Sequence, residues 1–314
     1  MLALPTTGFG RSVSKDNVEL DVLCDWVEGS VLFADDDRLS QRDVVDVLCE
    51  HNIYDEQDMA ANRVDDAWSE LRRRQRFLGD ASPYEFEGHA LKLKADPWRD
   101  AAAHSFCVLL SLAKWYRDWA RHFGKDYTEQ GELFEQLTKE SVVAQFTGWS
   151  VHQTGWSRSQ AKKLDAVVTD VANWLGEPKG NVQKWSEASA NEAGLDLVCF
   201  RPFADDRAGH PAFFFQCASG GDWEGKLHTP SLQQWRRLVE FTAQSLPTKA
   251  FATPFAFLDI DFTRNCNLVD GLLMDRYRLL AAAKGNPSWL SPKLKASVVK
   301  WAKPRVAKLP RLEA

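Results

Sequence analysis

Six cysteines lie scattered through 314 residues with no CxxC pair, so neither a zinc ribbon nor a dense disulfide framework is signalled. Cys24, Cys49, Cys107, Cys199, Cys217 and Cys266 read as reduced thiols, mostly buried. No stretch reaches the roughly 18 uninterrupted apolar residues of a membrane span. The opening MLALPTTGFGRSVSKDN also has no basic segment leading into an apolar run, so a soluble, cytoplasmic protein without a membrane partner is expected. Nucleotide-binding loops are missing as well: Gly8-Phe9-Gly10 and Gly220-Gly221 lack the GxGxxG or GxxxxGK[ST] context. The seven histidines show no HExxH or other paired spacing, and His210 and His228 read as surface or supporting residues. With 44% hydrophobic and 26% charged residues, 18 glycines and 13 prolines, the chain is neither disordered nor fibrous, and its length suits one large or two medium domains.

Charge is plentiful but uneven. The net charge is -5, yet residues 1 to 60 hold 14 acidic against 4 basic side chains, and residues 284 to 314 hold 8 basic against Glu313 alone. A basic tail carrying Lys300, Lys303 and Arg305 beside Trp301 suits phosphate. It suits the acidic N-terminal region equally well. Thirteen tryptophans are many, and those on charged helices (Trp115, Trp119, Trp174, Trp185, Trp235) are expected at packing seams rather than on ligands.

Residues 16 to 29 and 40 to 50 read as short amphipathic helices, and a longer one runs from 56 to 78 into the basic run LRRRQR. The alternation in GDASPYEFEGHALKLK predicts a hairpin. Residues 1–95 therefore suggest a helical recognition or assembly domain, either of winged-helix character or a plain interaction module. A strongly apolar helix at 97 to 122 is expected to connect two halves, over 96–127. Beyond it come a helix at 129 to 147, a polar helical insertion over 157–190, and apolar runs at 194 to 203, 211 to 218 and 249 to 261 that alternate with helices at 230 to 245 and 267 to 283. That order predicts an α/β (α+β) domain over 128–283, a small mixed sheet covered by helices, followed by the basic tail 284–314.

Three polar residues fall on three elements of this core. Glu135 lies in the first helix, Asp196 opens the strand GLDLV, and Gln216 ends the strand FFFQCA. A polar side chain in an all-apolar strand is costly without a partner, so Gln216 is hydrogen-bonded, at the strand end, or a ligand. Taken singly, Glu135 reads as a solvated helix residue and Asp196 as a strand end-cap.

Together, GxLFExL at 131 to 137, GLDLV, FFFQCASGGDWEGKL and the helix with QQW resemble the PD-(D/E)XK, or restriction-endonuclease-like, nuclease superfamily over about residues 128 to 280. Its pattern is a helix with an acidic residue, a strand with an Asp, and a following strand with (Asp/Glu/Gln)-x-Lys. The resemblance implies Glu135, Asp196 and Gln216 as site residues, with Mg2+ or Mn2+ held by Asp196, the Gln216 amide oxygen, the Cys217 backbone carbonyl and Glu135. The family lysine would fall where this chain has Ala218; Lys226, in the following loop, is the expected replacement. Gln234, Arg236 and Arg237 on the next helix, with Lys300, Lys303 and Arg305 in the tail, are the expected DNA contacts. The implied activity is metal-dependent DNA cleavage in restriction or anti-phage defence, alongside other subunits of a complex. The alternative is a nuclease-like fold without catalysis, acting as a DNA-binding or scaffold subunit.

Overall fold

The structure is a computed structural model that describes residues 1–10, 18–34, 37–94, 97–124, 127–155, 163–185, 193–242 and 246–312. It divides into two units. One comprises Met1–Asp126, Pro254–Leu258 and Arg276–Ala314; the other comprises Tyr127–Thr253 and Asp259–Asp275.

The first unit begins with α1 (Leu20–Phe33), β1 (Arg38–Ser40), α2 (Gln41–Glu50), α3 (Gln57–Leu78), β2 (Tyr84–Glu87) and β3 (Ala90–Leu93). A capping box starts α2: the Ser40 hydroxyl accepts from the Asp43 N–H, and the Asp43 carboxylate accepts from the Ser40 N–H. In α3, Ala60, Val64, Ala67, Trp68 and Leu71 recur at helical spacing and are buried. The hairpin turns at Gly88, which takes φ +62°, and sets Tyr84 opposite Leu93 and Phe86 opposite Leu91. β1 joins on the other side of β3, so helix, strand, helix, helix and hairpin share a three-stranded sheet. Next come α4 (Pro97–Asp100), α5 (Ala102–Trp115) and α6 (Arg117–Arg121). Every residue from Ala102 to Leu112 is buried. A helix apolar all round must be covered all round, so α5 is a core helix of this unit rather than a connector between halves.

The second unit is α7 (Thr128–Gln145), β4 (Ser150–Gln153), α8 (Leu164–Leu175), α9 (Val182–Trp185), β5 (Leu197–Phe200), β6 (Ala212–Cys217), α10 (Leu232–Leu238), β7 (Thr248–Ala252), α11 (Asp259–Val269) and β8 (Leu272–Met274). Its sheet runs β4-β5-β6-β7-β8. The first three strands are antiparallel, and β7 and β8 continue parallel to β6. The expected mixed sheet flanked by helices is present. α10 lies in the β6–β7 crossover that a parallel pair requires. Phe214 packs with Val167, Val168 and Val171 of α8 and Trp235 of α10, whereas Phe213 meets Phe146 and Trp149. The two faces of β6 thus serve separate layers.

Three expectations shift. The run 249 to 261 is a strand only over Thr248–Ala252, since Pro254 cannot donate to a ladder. The helix expected over 267 to 283 is instead α11, β8 and a further helix, because Asp270 takes φ +53° and Gly271 lies so close to the Lys249 carbonyl that a Cβ would come within 2.1 Å of it. The strand β4, written in the polar letters SVHQ, was not anticipated. Both ends of the insertion expected at 157–190 lie outside the described residues; between them are α8 and α9.

The chain re-enters the first unit at α12 (Arg276–Leu280) and closes with α13 (Pro292–Val306). α13 is capped by Ser291 and packs on α5 through Leu294, Val298 and Trp301, with the Trp301 ring 5.0 Å from Phe106. Residues 284–312 are therefore part of a folded unit. Ala3 donates to the Pro310 carbonyl at 3.0 Å, Leu312 to Met1 at 3.2 Å, and the Arg311 guanidinium to Phe33 at 3.0 Å.

At the centre of this unit lies an ionic cluster. Arg74 and Arg276 are fully buried, and both donate to Asp25 and Glu28. Arg74 also reaches Glu70 at 2.9 Å, Arg276 reaches the Ser111 hydroxyl, and the Tyr277 hydroxyl donates to Glu28 at 2.6 Å. Part of the N-terminal acidic excess is thus neutralised internally, and one arginine of the LRRRQR run is core. Among the described residues no helix is long and apolar enough to cross a membrane.

Candidate active site

Because β5 and β6 are antiparallel with Leu197 opposite Phe215, the next position along sets Asp196 opposite Gln216. The ladder holds Asp196 in place: its N–H donates to the Phe215 carbonyl at 2.8 Å, and its own carbonyl accepts from Thr154 at 3.0 Å. Asp196 Oδ2 then accepts from Gln216 Nε2 at 2.5 Å and from the Cys217 N–H at 2.6 Å. Gln216 Nε2 also lies 3.2 Å from the Cys217 carbonyl oxygen. Gln216 is only 7% exposed, and this network meets the cost of burying its amide in an apolar strand.

On the other side of β6, Cys217 faces α7. Burial pushes its thiol well above the ordinary range, and the Asp196 and Glu135 carboxylates add to that; the Thr138 hydroxyl, one turn along from Glu135, opposes it. The structure sets Asp196 and Gln216 side by side with the Cys217 carbonyl at one end of β6, and places Glu135 on the α7 side, near the Cys217 thiol.

The loop after β6 closes over this end. Gln130 of α7 donates to the Ser219 carbonyl at 3.1 Å. Buried Trp223 anchors a 3-10 turn (Trp223–Lys226) against Phe251, ring centres 6.3 Å apart. Thr229 then places its hydroxyl 3.0 Å from Gln216 Oε1 and 2.6 Å from the Lys226 carbonyl oxygen. Ala218 is buried, its N–H bonded to Ala252 at 2.9 Å. Lys226 has its backbone pinned beside Gln216 through Thr229 and its side chain exposed.

Sequence reasoning missed three parts of this site. Thr229 was one letter in a loop. Gly194 precedes Asp196 with φ +61°, and a Cβ there would come within 2.7 Å of the Thr229 Cβ and 3.2 Å of Gln216 Oε1, so a residue without a side chain is required. Lys249 of β7 is buried, its ammonium donates to the Leu227 carbonyl at 3.2 Å, and burial lowers its pKa. The Gly of GLDLV was a legible hint for one of the three.

The other expected contacts are carried by other elements. Arg236 and Arg237 are exposed on α10, and Gln234 is half-buried in its first turn, where its N–H donates to the capping Ser231 hydroxyl. Lys300 and Lys303 are exposed on α13. Arg305 is committed within its own unit: its guanidinium stacks on Trp301 at 3.8 Å and Phe123 at 4.7 Å, and it donates to the Trp301 carbonyl.

Among the described residues no group of three or more His, Cys, Asp or Glu is placed to hold a metal ion. The donor set here is of another kind: the Asp196 carboxylate, the Gln216 amide and the Cys217 backbone carbonyl, all hard oxygens suited to Mg2+ or Mn2+. Its fit turns on one proton. The Thr229 hydroxyl can donate to only one of its two neighbours, and the shorter contact is to Lys226. Were that the bond made, the Thr229 oxygen would be left to accept from Gln216, which requires the amide turned over so that Nε2 faces Thr229. Gln216 Oε1 would then take the place of Nε2 beside Asp196 Oδ2 and the Cys217 carbonyl, and three oxygens so close together call for a cation to bridge them. The residues fit such an ion in that orientation, and in the other the amide N–H takes its place. Comparison with known proteins finds no match: no family model, no curated protein and no solved structure is significantly similar to this chain.

Proposed function

We propose that the chain is a metal-dependent phosphodiesterase that cleaves DNA, with its site at the end of β6. The observation that carries this reading is the convergence of Asp196, Gln216 and the Cys217 carbonyl on one point, with Thr229 able to hold the Gln216 amide in either sense. The order of contributing elements, an acidic helix residue, a strand Asp and a Gln on the next strand, supports it. Held by Asp196, Gln216, the Cys217 carbonyl and Glu135, Mg2+ or Mn2+ would supply Lewis-acid charge at the scissile phosphate and an acidified water. Lys226 would swing its exposed four-carbon stem to the phosphate and stabilise the charge that develops there. Arg236 and Arg237 would steer the DNA backbone. The helix-and-hairpin module of the first unit is suited to recognition or assembly, and the combination fits a restriction or anti-phage complex by analogy.

A second reading has its own support. Ala218 stands where the family lysine belongs, and Asp196 Oδ2 accepts two hydrogen bonds from the chain itself, which suits a nuclease-like scaffold without chemistry. Cleavage of plasmid and of circular single-stranded DNA with Mg2+ or Mn2+, with and without EDTA, decides between them when paired with Asp196→Asn. That variant keeps an oxygen to accept from Cys217 but loses the charge, so it should fold and fail to cut. Asp196→Ala is the poorer choice, because the half-buried Cys217 N–H would lose its acceptor at a cost of about 1 to 3 kcal/mol. Metal-independent cleavage, or full activity in Asp196→Asn, would overturn the enzyme assignment.

A further inference from the structure

We infer that Trp185, with Lys184 and Arg237, is a stacking platform for an unpaired base, so that the strand entering this site is single-stranded DNA. The inference rests on the nuclease reading for the site but not on its chemistry.

Trp185 was expected at a packing seam, and Trp235 meets that expectation with no exposed surface. Trp185 differs: it stays 41% exposed at the end of α9. The Arg237 guanidinium sits 4.7 Å from its ring centre and the Lys184 ammonium 4.9 Å, both over the ring. The two cations thus lie against an indole that keeps an exposed surface. Arg237 and Lys184 are both exposed, which sets two positive charges against a flat aromatic ring, and Arg236 is exposed beside Arg237 on α10.

α10 links that surface to the candidate site along the chain. Thr229, which touches Gln216, lies three residues before Leu232, where α10 starts. At about 1.5 Å per residue, Arg237 stands roughly 8 Å along the helix axis from Leu232. A strand tracking α10 would thus meet Arg236 and Arg237 and then the Trp185 ring within a few nucleotides of the site. Lys184, on a flexible exposed stem, can leave the ring for a phosphate and let a base take its position. Base stacking on an aromatic side chain needs a base free of its partner, which duplex DNA does not offer. The combination of a basic track and an aromatic platform is the recognition mode of single strands, tolerant of sequence.

The test measures binding, without turnover. A labelled 12-nucleotide oligothymidylate and a blunt 12-base-pair duplex are titrated with the full chain in EDTA, followed by anisotropy over a range of salt. Trp185→Leu keeps apolar bulk and removes the π-face; it should weaken oligothymidylate binding roughly tenfold, the equivalent of one stacked base, and leave the duplex within about twofold. Trp185→Phe should recover part of the loss. Lys184→Gln with Arg237→Gln should lower the log–log salt slope by about 0.7 for each phosphate contact removed. Unchanged binding in Trp185→Leu, or equal losses on both DNAs, would overturn the inference. So would poly-glutamate competing as well as oligothymidylate, which would assign the surface to an acidic peptide. Because cleavage plays no part, failure of the cleavage assay leaves this result interpretable, and the reverse also holds.

Discussion

Replacing Gln216 by Glu interrogates the point where the proposed chemistry is concentrated. In the present structure an amide N–H lies 2.5 Å from Asp196 Oδ2; in Gln216→Glu a carboxylate oxygen takes that place. At an effective dielectric constant of about 20, two unit charges about 3 Å apart repel by about 5 kcal/mol. The pair has a cheaper course, which is to bind a proton. At pH 7 that costs a carboxyl with a reference pKa near 4.3 about 4 kcal/mol, and at pH 5 about 1 kcal/mol. The shared proton restores the lost hydrogen bond, so proton uptake sets the ceiling on the damage. The sign follows: the pair's folded-state pKa is raised, so the variant matches the parent below about pH 4.3 and loses stability as pH rises. A divalent cation replaces that proton, and at a free concentration 100 times its Kd it returns about 2.7 kcal/mol. Urea unfolding at pH 5 and pH 7, in EDTA and then in Mg2+ or Mn2+, measures each step. A variant equally stable at both pH values in EDTA would show that Gln216 and Asp196 do not face each other as described. A pH-dependent loss that neither metal relieves would remove the cation from the proposal.

The remaining expectations concern Lys226 and the ionic core. Lys226→Ala should lower the cleavage rate on the order of 100-fold, comparable to losing one preorganised charge-stabilising donor, with little change in DNA affinity; an undiminished rate assigns that role elsewhere, with buried Lys249 the next residue to replace. Arg276→Met leaves Asp25 and Glu28 short of a buried partner and should cost about 3 to 5 kcal/mol in chemical denaturation, against near-neutrality if the cluster were hydrated. The Glu28 carboxyl is held below its reference value of 4.5: burial alone would raise it, but the neighbouring His104, whose Nε2 lies 3.5 Å from it, and the Arg74 and Arg276 charges outweigh that. Its contribution should therefore be complete above about pH 4.5 and be lost as pH falls below it, so unfolding of the parent should become acid-sensitive there; a flat profile down to pH 3 would contradict the pairing.

Much of the frame was legible in the sequence because its signals are local. Hydrophobic spacing located α2, α3 and α7, and apolar runs located β5 and β6, since burial of one face or both is written every two or four residues. The expectation that Glu135, Asp196 and Gln216 gather followed from their places in those elements, and the antiparallel register of β5 and β6 sets two of them face to face. What local patterns could not supply was which charges lose their water. Asp25 and Arg276 stand 251 positions apart, and Arg74 sits in a run of arginines that reads as surface; only the folded first unit turns them into a buried cluster. The same holds for the basic C-terminal residues, which belong to a packed helix on α5, and for Thr229, whose hydroxyl matters only because the loop after β6 returns it to Gln216. Apolar burial follows periodicity along the chain, whereas pairing of desolvated polar groups depends on distances that no spacing encodes, and for that reason the tertiary structure alone decided them.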